Sequence, residues 1–241
     1  MWNYEKRLQF PVKIKETNAN IAQVIISQFG GPDGELAASM RYISQRYTMP
    51  YNEVAGLLTD IGTEELAHME MVSSIVYQLT KNLSMDEIER SGFDKYYVDH
   101  TLALWPQAAG GTPFNACVFQ SKGDPITDLF EDMAAEQKAR STYDNILRLV
   151  HDSEVCEPIR FLRAREIVHF QRFGEAKRTD LSGIEAKASV ILTDTFAFLI
   201  SIVLNLKNES YFMNYIFMFV IFLPWQMKSI LIINFSYPKI P

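Results

Sequence analysis

Residues 60–71 read DIGTEELAHMEM, and residues 161–176 read FLRAREIVHFQRFGEA. Each stretch holds a Glu-x-x-His: Glu65 with His68, and Glu166 with His169. On a helix, residues i and i+3 share a face, so each pair can present an oxygen and a nitrogen to one metal ion. A single such pair is weak evidence, because an amphipathic helix often sets a surface carboxylate beside an unrelated histidine. Here the pair occurs twice, and each has a glutamate 30 residues upstream: Glu35 before Glu65, and Glu136 before Glu166. The two copies are offset by 101 residues (166 − 65 and 136 − 35).

Working outward, the apolar pattern predicts four long helices. The first spans about Asn18 to Tyr47, interrupted at Gly30, Gly31, Pro32 and Gly34, where it kinks or two pieces meet. The second runs from about Pro50 to Lys81, with Leu57, Ile61, Glu65, His68 and Val72 on one stripe. A long connection of about Asn82 to Gly123 follows, opened by Ser84-Met-Asp-Glu and broken by Trp105-Pro106 and Gly110-Gly111-Thr112-Pro113. Asp124-Pro125 reads as an N-cap with proline in the first turn, so a third helix starts there and runs to about Val150. A fourth starts near Glu157-Pro158 and passes Gly174.

Two short-looped helix pairs joined by one long crossover make an all-α, ferritin-like four-helix bundle. At about 1.5 Å per residue, Glu35 and Glu65 lie at similar distances from the first turn, so an antiparallel pair brings them to one height. Glu136 sits about 20 Å before the second turn, whereas Glu166 falls less far after Pro158; part of the return is non-helical or the fourth helix starts earlier. Four glutamates and two histidines buried at one level would be costly alone, and two divalent cations would remove that cost. One Glu from each of two helices and Glu-x-x-His from each of the other two is the ligand pattern of di-iron and di-manganese carboxylate proteins.

Composition excludes several other classes. The chain has 241 residues, a net charge of −6 and no basic cluster, which argues against nucleic-acid binding. Cys117 and Cys156 are the only cysteines, so a disulfide framework, a zinc ribbon and a CxxC electron-transfer module are out. They read as packing residues, as do Trp105, Tyr96 and Tyr97 in the crossover. The N-terminal MWNYEKRLQFPVKIK has no apolar core of a secretory signal, so synthesis in the cytosol is expected.

The segments Gly30–Pro50 (GGPDGELAASMRYISQRYTMP), Asp60–Met71 and Phe161–Ala176 resemble the manganese catalases, in particular a spore-coat branch of them. The resemblance covers about residues 1–178. It implies a dimanganese site that disproportionates hydrogen peroxide to water and dioxygen. Glu35, Glu65, His68, Glu136 and His169 match the five protein ligands of the manganese pair, with Glu65 bridging. Glu166 matches a glutamate just outside the ligands that handles protons, and Tyr42 a tyrosine that orients a ligating carboxylate. Some catalases of the family carry a basic residue before the third ligand; this chain has Ala135. The kinship further implies a homohexamer and deposition in the spore coat beside other coat proteins. The same ligands also allow iron in place of manganese, giving a di-iron oxidase or peroxidase, or a structural coat protein stapled by its metal site.

From Val190 to Pro241 the only charged residues are Asp194, Lys207, Glu209, Lys228 and Lys239. Residues 1–178 read as the catalase domain, and 179–241 as an apolar tail. Translated A/T-rich sequence after a frameshift would have this composition. A membrane-associating tail is the competing reading, although Val190–Leu206 has 17 residues, includes Asp194, and is short for a span.

Overall fold

The computed structural model describes residues 5–96 and 106–178; Tyr97, His100, Trp105 and the apolar tail of 179–241 lie outside them. Among the described residues, no helix is long and apolar enough to cross a membrane. Seven α-helices are described: α1 (Ala19–Ile25), α2 (Ser27–Gly30), α3 (Glu35–Gln45), α4 (Asn52–Thr80), α5 (Met85–Ser91), α6 (Pro125–Leu149) and α7 (153–178).

The first bundle helix is therefore three pieces, α1 to α3. The break has a steric reason: a Cβ on Gly30 would lie 2.2 Å from the backbone of Pro106 and Gln107. The crossover passes over the chain at this point, and only glycine lets two backbones approach so closely. The second bundle helix, α4, begins two residues after Pro50, with Tyr51 as its N-cap residue. Asp124 caps α6 through its carboxylate, which accepts from the Thr127 amide at 2.8 Å, with Pro125 in the first turn.

The fourth bundle helix, α7, starts at residue 153, not near Pro158. Asp152 caps it: its carboxylate accepts from the Glu154 amide and its carbonyl from the Cys156 amide, each at 2.8 Å. The early start supplies the helical rise that Glu166 needs to reach the level of Glu136, and Pro158 is absorbed inside the helix.

The crossover carries α5 and two 3₁₀ turns, Asp94–Tyr96 and Ala116–Phe119. Ser84 and Glu87 close a capping box at the start of α5, and Gly92, at φ 69°, ends it. Tyr96 is buried and donates its hydroxyl to the Ala109 carbonyl.

The core is divided in two. The larger apolar cluster takes Ala22 and Ile25 from α1, Met71 to Leu79 from α4, Tyr143 and Ile146 from α6, and Val155 to Leu162 from α7. The smaller takes Tyr42, Val54 to Ile61, Leu129, Phe173 and Ala176. Each buried side chain contributes about 1.5–3 kcal/mol by leaving water. Between the clusters, at one level on all four bundle helices, stand Glu35, Glu65, His68, Glu136, Glu166 and His169, all buried.

Candidate metal centre

α4 and α7 run through both apolar clusters, and the polar side chains that they carry between those clusters are buried. Glu65, His68, Glu166 and His169 each offer a ligand atom, and these atoms all lie within 4.8 Å of one another. The two imidazole rings stack, centroids 5.5 Å apart and 20° from parallel.

Glu65 lies between them. Its Oε2 is 2.7 Å from Nδ1 of His68, and its Oε1 is 2.7 Å from Nδ1 of His169. Glu35 closes one side, with Oε2 3.8 Å from His68 Nδ1. Glu136 closes the other, with Oε2 3.6 Å from His169 Nδ1. The result is two half-sites, each with one histidine and one terminal glutamate, sharing Glu65.

A tyrosine holds each terminal glutamate from behind. The Tyr42 hydroxyl donates to Glu136 Oε1 at 2.5 Å, and the Tyr143 hydroxyl donates to Glu35 Oε1. The pairing crosses over: the tyrosine on each helix serves the glutamate of the other. Tyr143 was missed in the sequence, yet it stands seven residues after Glu136 as Tyr42 does after Glu35, the same 101-residue offset.

Glu64 was missed too. It accepts from Arg165 through both oxygens (2.7 and 3.2 Å), from Gln9 Nε2 at 2.8 Å and from His169 Nε2 at 3.1 Å. Its Oε1 is also 3.5 Å from His68 Nε2. Residues at i and i+4 face the same way, which puts Glu64 behind His68 while Glu65 lies in front.

The donor set fits a divalent cation. Glu65 Oε1, Glu136 Oε2, His169 Nδ1 and Glu166 Oε1 are buried and make no aligned hydrogen bond, although Glu65 Oε1 and His169 Nδ1 are 2.7 Å apart. Orphaned buried polar atoms are costly, and three of these four converge on one half-site, as ligand atoms around an ion would. Carboxylate oxygen with imidazole nitrogen suits manganese, iron or zinc.

Electrostatics agree. Burial pushes the Glu35 carboxyl up to about 8, and the Glu65 charge adds to it. Burial, then Glu65, raises Glu136; burial, then Glu35, Glu136 and Glu65, holds Glu166 well above the usual carboxylate range. Burial also opposes charge on Glu65, but His169 and His68 overcome it and hold that carboxyl low. Burial opposes charge on His169 as well, and Glu65 outweighs it, raising the imidazole to about 12. Without a cation the centre keeps protons to limit its net charge; bound cations displace them.

A pH dependence follows. Folded Glu35 holds, between 4.5 and about 8, a proton that the unfolded chain has lost. His169 has the same sign from 6.5 upward. Where the folded state binds more protons, stability falls as pH rises. Metal-free protein is therefore expected to lose thermal stability steadily from about pH 5 to pH 8, and saturation with a divalent cation to flatten that slope. Melts of chelator-treated and metal-loaded protein check this; a metal-free melting point that rises over the window would contradict it.

A family model described as manganese containing catalase matches residues 1–201, running past residue 178, where the motif resemblance ends. Protein CotJC of Bacillus subtilis strain 168 is 52% identical over 176 residues, covering 73% of this chain and 93% of that protein. A probable manganese catalase of Clostridium acetobutylicum is 34% identical over 178 residues, covering 73% and 79%. The crystal structure of KatB, a manganese catalase from Anabaena PCC7120, superposes with a TM-score of 0.69 at 30% identity, covering 74% of this chain and 80% of that one.

Proposed function

The chain belongs to the manganese-containing catalase family, and on that premise we propose how its residues divide the disproportionation of hydrogen peroxide to water and dioxygen. The enzyme is manganese-dependent. A bound manganese pair supplies a two-electron redox couple, and the protein supplies ligands, proton handling and exclusion of water.

Glu35, His68 and one oxygen of Glu65 would hold one ion; Glu136, His169 and the other oxygen of Glu65 would hold its neighbour. The observation that carries this assignment is Glu65, with one oxygen 2.7 Å from each histidine. Tyr42 and Tyr143 fix the two terminal carboxylates by donating to the oxygen that faces away from the centre.

Glu166 is the proton carrier. Oxidising one peroxide to dioxygen releases two protons and two electrons, and reducing a second to two waters consumes the same number. A carboxyl that stays in the site can pass protons from one half-reaction to the other. Glu166 is buried, and its Oε1 has no partner, which leaves that oxygen free to take and give a proton.

The likeness to CotJC supports deposition in the spore coat after cytosolic synthesis, among other coat proteins, and the family likeness supports a homohexamer. Within the apolar tail of 179–241, the family match to residue 201 supports a genuine first stretch. The rest of the tail keeps its frameshift-like composition, and membrane association applies only if that tail is a genuine segment.

Elemental analysis of chain purified from cells supplied with both manganese and iron tests the reading. Two manganese per chain, with oxygen evolution from peroxide, are expected. Two iron per chain would move the protein to the di-iron oxidases. Folded protein with neither metal would leave a structural coat role.

A further inference from the structure

We infer that Glu64 is a positioning residue that aims both histidines at the metal pair through its carboxylate, with Arg165 and Gln9 as its outer partners. The inference deepens the catalase reading and rests on it.

An imidazole can present either ring nitrogen to a metal, and the partner of the outer nitrogen decides which. In this centre both Nδ1 atoms face Glu65, at 2.7 Å each. Both Nε2 atoms face Glu64: His169 Nε2 donates to one oxygen at 3.1 Å, and His68 Nε2, which makes no hydrogen bond, lies 3.5 Å from the other. One carboxylate thus stands behind two rings, and one stands between them.

The repeat explains why a single residue does both. Residue 65 corresponds to 166, and 68 to 169; residue 64 then corresponds to 165, which is arginine. The second half brings a cation where the first brings a carboxylate. Arg165 grips Glu64 through Nε and Nη2, and Gln9 reaches it from the N-terminal segment. Phe10, next to Gln9, stacks on Phe161 at 5.0 Å, and Phe161 meets the edge of His68. A salt bridge serving stability alone would need only Arg165; beyond Arg165 and Gln9, the contacts of Glu64 are with the two ligand rings.

Two substitutions separate positioning from the ion pair. Glu64→Gln keeps shape but loses the negative charge and replaces one oxygen with an N–H donor, so one of the two outer nitrogens faces a donor instead of a carboxylate oxygen. Arg165→Gln breaks the same ion pair yet leaves a carboxylate behind both rings. Manganese content after dialysis, manganese titration and the paramagnetic resonance of the exchange-coupled pair are the readouts.

In Glu64→Gln, manganese affinity is expected to fall about 10- to 100-fold, with content dropping towards one ion per chain and the coupled signal lost. Arg165→Gln is expected to keep two ions and the coupled signal. Equal manganese losses in the two variants, or wild-type affinity in Glu64→Gln, would overturn the inference.

A crystal structure of manganese-loaded wild-type protein tests it without any variant. Nδ1 of both histidines is expected on the metals, with Nε2 towards Glu64; coordination through either Nε2 overturns it. Wild-type protein that takes up no manganese would instead overturn the catalase reading beneath it.

Discussion

Glu65→Ala protein should retain no manganese and evolve no measurable oxygen from peroxide, because one side chain serves both half-sites. Its two oxygens face His68 and His169 separately, so the deletion removes a ligand from each ion at once. The loss extends to the metal-free fold. Glu65 is the counter-charge between two buried imidazoles whose centroids are 5.5 Å apart. Removing one partner of a buried charge pair costs about 3–5 kcal/mol, so the metal-free melting point should fall sharply as well. Glu65→Gln discriminates further. Glutamine keeps one acceptor oxygen and replaces the other with an N–H donor, so one half-site survives and about one ion per chain should remain. Two retained manganese in Glu65→Ala would show that Glu65 does not join the half-sites.

The residues that carry this argument were legible because helix geometry turns spacing into position. Glu35, Glu65, His68, Glu136, Glu166 and His169 stand out in the sequence through two repeated spacings, and the bundle sets them at one level. Their partners are harder to see. Tyr143 shares the 101-residue offset with Tyr42, but a tyrosine on a helix face reads equally well as core. Only the fold reveals the crossed pairing in which each tyrosine serves the other helix's glutamate. Glu64 carries no signal of its own, since a second glutamate beside a Glu-x-x-His is ordinary on an amphipathic helix. Its meaning comes from Arg165 and Gln9, 101 and 55 residues away in the chain.

Local rules succeed where chemistry is local and fail where the tertiary fold overrides them. Asp124-Pro125 announces α6 because capping is decided within four residues. Pro158 misplaces the start of α7, because the Asp152 cap opens the helix earlier and the proline is absorbed inside it. The glycines at 30, 31 and 34 mark a break, but only the fold shows what each makes room for: Gly30 the crossover backbone at Pro106 and Gln107, Gly31 the carbonyl of Ser27, and Gly34 the carbonyls of Ser27 and Gln28.

Glu166→Gln should keep both manganese ions and lose turnover, the opposite pattern to Glu65→Ala. The carboxyl is fully buried beside Glu35, Glu136 and Glu65, and burial with those neighbours holds it in the neutral form. Glutamine is neutral and nearly the same shape, so the substitution replaces one uncharged group with another and should leave the fold intact. It also removes a group that holds a proton only when folded, so the decline of metal-free stability with rising pH should be shallower than in wild type. What glutamine cannot do is take up a proton at Oε1 and return it. General acid–base groups contribute about 10²- to 10⁴-fold, so kcat for oxygen evolution should fall by that factor with two manganese still bound. Loss of metal would make Glu166 a ligand, a more symmetric centre in which both Glu-x-x-His motifs bind in the same way. Unchanged kcat would mean that the protons travel elsewhere.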